Sequence, residues 1–145
     1  MTTKPDIKTW KDLNIGGVVE SGTSEHFHTG DWRVKVPVWQ KDNCIQCMQC
    51  VTFCPDDAIG VTEGKNAKTG KPELQRTGYN YDFCKGCGIC AEECPVKKKA
   101  VKAAKEKDPD AKVNGWSGAG NEAYAEKAAI LMVSLKEAKE KYNIK

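Results

Sequence analysis

The sequence has too few apolar residues for a large conventional hydrophobic core. Of its 145 residues, 39% are hydrophobic and only 8% are aromatic. It also lacks an apolar run that could span a membrane, which takes about 20 residues. The opening residues, Met1-Thr-Thr-Lys-Pro-Asp6, contain neither the apolar stretch nor the twin arginine of an export signal. We therefore expect a small cytoplasmic protein with no membrane partner.

Recognisable motifs for catalysis and for nucleotide binding are also missing. The glycines Gly115, Gly118 and Gly120 have the wrong spacing and the wrong strand context for a dinucleotide fingerprint. The net charge is only +3, and no nucleic-acid-binding fold surrounds the lysine-rich stretch 97–107. We therefore expect no catalytic residue and no nucleic-acid partner.

The chemistry of the chain is concentrated in its eight cysteines, which form two runs of identical spacing. The runs read Cys44-Ile-Gln-Cys47-Met-Gln-Cys50-Val-Thr-Phe-Cys54-Pro55 and Cys84-Lys-Gly-Cys87-Gly-Ile-Cys90-Ala-Glu-Glu-Cys94-Pro95. Zinc sites typically combine two well-separated cysteine pairs, and disulfide frameworks belong to secreted proteins. Two triplets that each lead into Cys-Pro fit neither class. They resemble the ligand runs of bacterial ferredoxins with two [4Fe-4S] clusters.

The resemblance to these ferredoxins implies a crossed assignment of ligands. Three cysteines of each run curl around one cluster, while the fourth lies on the following helix and points towards the other cluster. The implied ligands of cluster 1 are Cys44, Cys47, Cys50 and Cys94. The implied ligands of cluster 2 are Cys84, Cys87, Cys90 and Cys54. Because metal-binding free energy can act as folding free energy, we expect the two clusters to replace part of the missing core.

A predicted strand leads into the first cysteine run. Trp32, Val34, Val36 and Val38 alternate with polar residues or proline, which is the period of a half-buried strand. Pro37 favours an edge position. The segment Thr29-Gly-Asp-Trp-Arg33, the pair Pro37-Val38 and the two cysteine runs resemble the delta subunit of 2-oxoacid:ferredoxin oxidoreductases, the pyruvate:ferredoxin oxidoreductase type. The resemblance covers about residues 15–102.

This family resemblance implies an electron-transfer subunit of a multi-subunit enzyme. Its partners are alpha, beta and gamma-type subunits, and an external ferredoxin or another acceptor receives the electrons. Thiamine diphosphate and coenzyme A are expected only on partner subunits or in the whole enzyme. Two alternatives stay open: a free soluble two-cluster ferredoxin, or an iron–sulfur subunit of another complex such as a hydrogenase or flavin reductase. The slightly basic charge favours a fixed subunit, because free bacterial ferredoxins are acidic.

The predicted fold class is α+β, a two-cluster ferredoxin-like domain with an extended N-terminal arm and a C-terminal helix. The predicted division is an arm over 1–30, the ferredoxin-like domain over 31–107, a linker over 108–120 and a docking helix over 121–145. A β-hairpin is expected over 58–83. The glycine-rich arm is expected to become ordered on a partner subunit. Its histidines, His26 and His28, are not expected to be ligands, since the cysteines suffice for both clusters.

The C-terminal quarter allows two interpretations. A helical stripe recurs every three or four residues at Tyr124, Ala128, Leu131, Leu135, Ala138 and Tyr142. Such a stripe is longer than a ferredoxin core can cover, so it would dock on another subunit, and a chain of residues 30–107 would still assemble its clusters. Alternatively, 130–133 is the terminal ferredoxin strand, displaced by an insertion.

The lysine-rich stretch 97–107 follows the second cysteine run directly. It is either a solvated helix surface or a landing patch for an acidic ferredoxin near the second cluster. Ala100-Val101, within it, is a candidate for the short strand that usually ends the family fold.

Overall fold

The part of the chain that the structure describes contains two small antiparallel sheets and five α-helices, with short 3-10 turns between them. The computed structural model describes residues 9–66 and 70–144. The strands are β1 (Lys35–Trp39), β2 (Ile59–Lys65), β3 (Pro72–Tyr79) and β4 (Ile130–Ser134). The helices are α1 (Gln49–Thr52), α2 (Ile89–Glu92), α3 (Lys97–Lys107), α4 (Glu122–Lys127) and α5 (Leu135–Tyr142). This combination agrees with the predicted α+β class. Within the described residues, no helix has the length and apolar character needed to cross a membrane.

Strands β2 and β3 form the predicted hairpin between the two cysteine runs. Ile59 lies opposite Tyr79 and Lys65 lies opposite Pro72, with a register shift after Gly60. Residues 67–69 of the connecting turn lie outside the described residues. The Asn80 N–H donates to the Ala58 carbonyl at 2.8 Å. The hairpin therefore returns the chain to the end of the first cysteine run before the second run begins.

Strand β4 pairs with β1, so the prediction of a single helix over 121–145 is wrong. Lys35 lies opposite Ser134, and Trp39 lies opposite Ile130. The alternative interpretation, a terminal strand over 130–133 displaced by an insertion, describes the structure. The inserted segment includes α3, and the candidate strand Ala100-Val101 lies inside this helix.

A capping box accounts for the break in the helical stripe. The Glu137 N–H donates to Ser134 Oγ at 3.2 Å, and the Ser134 N–H donates to Glu137 Oε2 at 3.4 Å. This Ser-x-x-Glu pattern marks the first turn of a new helix, here α5. The run Ile130–Val133 is apolar at every position, and such a run fits a buried strand or a buried helix equally well by periodicity. Because the capping box at Ser134 starts a new helix after the run, the run itself is better explained as a strand.

Both faces of β4 are buried, which gives the strand a central position. Leu131 and Val133 belong to a core formed with β1 and the helices α3, α4 and α5. Ile130 and Met132 point the other way and belong to a second core, whose further members are Cys50, Ile59, Cys90 and Ala91. Strand β4 therefore separates a helical layer from the cysteines. Four of the six stripe residues, Tyr124, Ala128, Leu131 and Ala138, are buried by their own chain, contrary to the expected docking helix.

Side chains just before the first cysteine run hold the C-terminal segment in place. Gln40 Nε2 donates to the Ala125 carbonyl at 2.9 Å, and Asn43 Nδ2 lies 2.8 Å from the Ala128 carbonyl. Asn43 Nδ2 also lies 2.9 Å from the Glu126 carbonyl. The end of α4 is thereby tied to the residue that precedes Cys44.

The segment Thr29-Gly-Asp-Trp-Arg33 anchors the chain beside the second cysteine run. The Gly30 N–H donates to the Asp82 carbonyl at 2.7 Å, and a Cβ on Gly30 would lie 2.0 Å from the Tyr81 carbonyl oxygen. Arg33 is buried and donates to the carbonyls of Gly30 and Tyr81. Strand β1 begins only at Lys35, so the predicted buried face is limited to Val36 and Val38. Trp32 and Val34 are exposed.

Candidate metal centres

The first centre is a small cavity whose cysteines come from both runs. Cys44, Cys47 and Cys50 approach it from the loop that leads into α1, and Cys94 approaches it from the end of the second run. Cys50 is buried and Cys47 is exposed, with the other two intermediate. The structure thus brings together the four cysteines that the sequence assigns to cluster 1.

The second centre is a small cavity with the reciprocal composition. Its cysteines are Cys84, Cys87 and Cys90 of the second run and Cys54 of the first. Cys84 and Cys90 are buried, whereas Cys87 is exposed. All eight cysteines of the chain are free thiols, so every one is a potential ligand.

The arrangement of the thiols suits a cluster. A zinc site holds its sulfur atoms about 2.3 Å from one ion. Within residues 9–66 and 70–144, no three cysteine, histidine or acidic side chains converge on one point in that way. A [4Fe-4S] cluster binds four thiolates and occupies a volume between them. Four thiols around each cavity therefore form a donor set that fits such a group.

His28, which is not expected from the sequence to be a ligand, packs edge-on against Phe83, with ring centroids 6.4 Å apart.

The two cysteine loops share a left-handed backbone conformation, although only the second loop has glycines at the positions that adopt it. Gly86 and Gly88 have φ angles of 68° and 80°, and the matching residues Gln46 and Met48 have φ angles of 53° and 61°. Left-handed backbone costs a residue with a side chain about 1–2 kcal/mol. Gln46 compensates through its side chain, because its Oε1 accepts the Arg76 N–H at 3.0 Å. This conformation could be predicted from the sequence only where glycine is present.

Trp116 covers the second loop, a role that sequence reasoning missed. A Cβ on Gly88 would lie 2.3 Å from the Trp116 ring, so the indole rests directly on the loop backbone. The backbone N–H of Trp116 donates to Glu92 Oε1 at 3.0 Å, and the backbone carbonyl of Trp116 accepts from Lys35 Nζ at 2.7 Å. Part of the predicted linker 108–120 is therefore held against a cysteine loop. No sequence periodicity connects Trp116 with residues so far away in the chain.

Burial raises the pKa of four of the thiols, those of Cys50, Cys84, Cys90 and Cys94. It raises the pKa of Cys90 to about 11, although a hydrogen bond with the Tyr79 hydroxyl, 3.3 Å from Sγ, acts in the opposite direction. Burial also raises the pKa of Cys50, and the positive charge of Arg76 partly offsets that effect. Because metals bind the thiolate form, loading these cavities releases protons and supplies the positive charge that buried thiolates need.

Helix α3 adjoins the first cavity. Pro95 and Val96, which precede the helix directly, line the cavity of Cys44, Cys47 and Cys50. The structure therefore places the start of the lysine-rich stretch beside the first cavity. The helix buries Ala100 and Ala104, which leaves its lysines at the surface or partly exposed.

Comparisons with known proteins agree with this geometry. Residues 43–98 match the family of 4Fe-4S dicluster domains. The chain is 45% identical over 101 residues to the pyruvate synthase subunit PorD of Thermotoga maritima. These residues are 69% of this chain and 90% of the relative. It is 42% identical over 95 residues to PorD of Methanothermobacter marburgensis, covering 65% of this chain and 98% of the relative.

A similar segment also occurs inside a much longer polypeptide. The pyruvate-flavodoxin oxidoreductase of Enterobacter agglomerans is 34% identical over 114 residues, which is 69% of this chain but 10% of that protein. The cysteine geometry and these relatives together show that the chain carries two [4Fe-4S] clusters. The chain belongs to the family of the PorD subunits of pyruvate synthase, the small electron-transfer subunits of 2-oxoacid:ferredoxin oxidoreductases.

Proposed function

We propose that this subunit takes electrons from the thiamine-dependent subunits of its enzyme and passes them to an external acceptor such as ferredoxin. When bound, the two clusters supply one-electron transfer. The observation that carries this proposal is the reciprocal arrangement of the cavities: each contains three cysteines of one run and the fourth cysteine of the other. We accordingly assign the ligands as the sequence implies. Cluster 1 is held by Cys44, Cys47, Cys50 and Cys94, and cluster 2 by Cys84, Cys87, Cys90 and Cys54.

The region between the cavities suits transfer between two centres. Cys50 of one cavity and Cys90 of the other belong to the same buried group of side chains as Ile130 and Met132. Because Cys50 lies on α1, Cys54 lies just past the end of α1, and the two line different cavities, the two sites are neighbours. Each cavity also has one exposed cysteine, Cys47 or Cys87. One side of the subunit can therefore face a donor while the other faces an acceptor.

The N-terminal arm is the proposed docking element for the larger subunits, which we take to be of the alpha, beta and gamma types. Its apolar side chains lie at the surface of the isolated chain. The exposed ones are Trp10, Leu13, Ile15, Val18, Val19 and Phe27. Ile15 is 96% exposed, and Leu13, Val18, Val19 and Phe27 line one open surface cavity. Exposed apolar surface of this kind is typical of an interaction site. Pyruvate, named in the PorD relatives, is the proposed 2-oxoacid of the whole enzyme.

The lysine side of α3 is the proposed landing surface for an acidic ferredoxin. Lys98, Lys99, Lys102 and Lys105 are exposed and project from a helix that begins beside the first cavity. Lys97 is paired with Glu92 at 2.6 Å and Lys102 with Glu106 at 3.9 Å, so Lys98, Lys99 and Lys105 provide most of the positive field. Such a field increases the association rate of an acidic partner. We place the complex in the cytoplasm, where a reducing environment keeps cysteines available for clusters.

Deleting residues 1–26 tests the docking proposal. The shortened chain retains all eight cysteines and Gly30, so we expect it to bind the same amount of iron as the full chain. We also expect it to lose most of its association with the larger subunits, because all the exposed apolar side chains of the arm except Phe27 are gone. Affinity purification of a tagged chain, with mass spectrometry of the copurifying proteins, measures that association.

A double variant of the full-length chain separates surface chemistry from chain length. Ile15→Ser and Val19→Ser change two exposed side chains and should weaken association in the same direction. A shortened chain that still recovers the larger subunits in full would contradict the docking role of the arm. A full-length chain that purifies alone, fully loaded with clusters, would favour the alternative of a free ferredoxin.

A further inference from the structure

Arg76 is a buried cation without a carboxylate partner in the described part of the chain. Its side chain lies on β3 and is only 3% exposed. None of the ion pairs recorded among the described residues includes it. Its Nε, Nη1 and Nη2 atoms make no hydrogen bond of standard geometry with these residues. A charged group is rarely buried in this way unless an opposite charge compensates it.

The surroundings of Arg76 fix its position at the first cavity. The guanidinium carbon lies 4.1 Å from the centroid of the Tyr79 ring and 4.8 Å from that of Trp39. The backbone N–H of Arg76 donates to Gln46 Oε1 at 3.0 Å, which ties the residue to the first cysteine loop. Arg76 itself lines the cavity of Cys44, Cys47, Cys50 and Cys94. Two aromatic faces thus hold the cation in place at the wall of that cavity.

The missing negative charge is supplied by a group in this cavity. A guanidinium keeps its proton at any accessible pH, so Arg76 cannot become neutral on burial. Aromatic faces attract a cation, but they carry no net charge. A cluster bound by four thiolates is anionic, and it gains a further negative charge when it accepts an electron. A nearby fixed positive charge stabilises the reduced form more than the oxidised form.

We propose that Arg76 is the internal counter-charge of the iron–sulfur cluster in the first cavity and raises its reduction potential relative to that of the second. The proposal rests on the ligand assignment given above. The step that Arg76 influences is the gain of one electron, with no bond made or broken and no proton leaving the guanidinium. The second cavity is affected less, because Arg76 is not among the residues that line it. Arg76 is a positioning and tuning residue, not a catalytic one.

Arg76→Gln removes the charge and keeps a polar side chain of moderate length. We expect about a tenfold shift of the first cluster's redox equilibrium towards the oxidised form, which is about 59 mV for a one-electron couple. The second cluster should shift by less. An EPR-monitored redox titration of the full-length chain measures both potentials without any assay of the whole enzyme. Arg76→Lys keeps a positive charge and should restore most of the difference.

Lys65→Gln is the matched control, since it removes the same charge from an exposed side chain of the same hairpin. It should leave both potentials unchanged. A loaded Arg76→Gln chain with unaltered potentials would overturn the proposal. If that variant binds no iron in the first cavity, the Arg76→Lys variant shows whether the charge or the packing of Arg76 matters. Recovery of iron with a nearly normal potential supports the charge, whereas failure of the lysine variant as well assigns Arg76 a packing role and refutes the proposal. Iron content of the unaltered chain tests the ligand assignment separately.

Discussion

A chain that ends at Lys107 is expected to lose both iron–sulfur sites, although it retains all eight cysteines. The deletion removes β4, whose Ile130 and Met132 pack directly against Cys50 and Cys90. It also removes Leu131 and Val133 from the core that they share with β1 and α3. This expectation reverses the one from sequence, in which residues 30–107 would suffice for cluster assembly.

The size of the effect follows from the burial of these side chains. Each fully buried aliphatic side chain contributes about 1.5–3 kcal/mol to stability. Four of them lie on β4, and each is at most 4% exposed. Their combined contribution is comparable with the entire stability of a small domain, about 5–15 kcal/mol. Iron analysis and visible circular dichroism of the purified 1–107 chain measure the loss.

Point variants of the full-length chain provide the control for this truncation. Leu131→Asp places a charge in the core and should reproduce the loss of iron. Leu135→Asp makes the same change at the first residue of α5, where the side chain is 37% exposed, and should have little effect. Normal iron content in the 1–107 chain would show that β4 is dispensable.

Cys54→Ala is expected to destroy the second cluster and spare the first, even though Cys54 belongs to the first cysteine run. The reason is the position of its thiol, which lines the cavity of Cys84, Cys87 and Cys90. Iron content should fall from about eight to about four atoms per chain, because each cluster has four irons. The reciprocal variant, Cys94→Ala, should lose the first cluster.

Double variants identify which cluster is lost without relying on spectral assignment. Cys54→Ala combined with Cys87→Ala affects one cavity only, so its iron content should equal that of either single variant. Cys54→Ala combined with Cys47→Ala affects both cavities, so almost all iron should disappear. If the first pair loses all iron and the second pair keeps half, the ligation is not crossed.

The cysteines and the hairpin could be predicted because their signals are local. The spacing within each run defines its own loop, and the polar turn between two strand-like segments defines β2 and β3. Strand β4 is different, because its partner β1 is almost a hundred residues earlier and its apolar run also fits a buried helix. The pattern Ser134-Leu-Lys-Glu137 was the available signal for a new helix after Ser134.

The supporting residues around the cavities were not accessible from sequence. Trp116 contacts Gly88 from an inserted segment, and a side chain at position 88 would collide with the Trp116 ring. Arg76 resembles any charged residue of an amphipathic hairpin until its burial between Trp39 and Tyr79 is seen. Both are contacts between distant parts of the chain, whereas a motif reports only on its own neighbourhood.

Iron and acid-labile sulfide analysis of the full-length chain, purified without oxygen, tests the central claim most directly. Two [4Fe-4S] clusters require about eight iron and about eight sulfide atoms per chain. That result would agree with an electron-transfer subunit that has two centres. Zinc in place of iron, or only about four iron atoms with both cavities intact, would contradict the account.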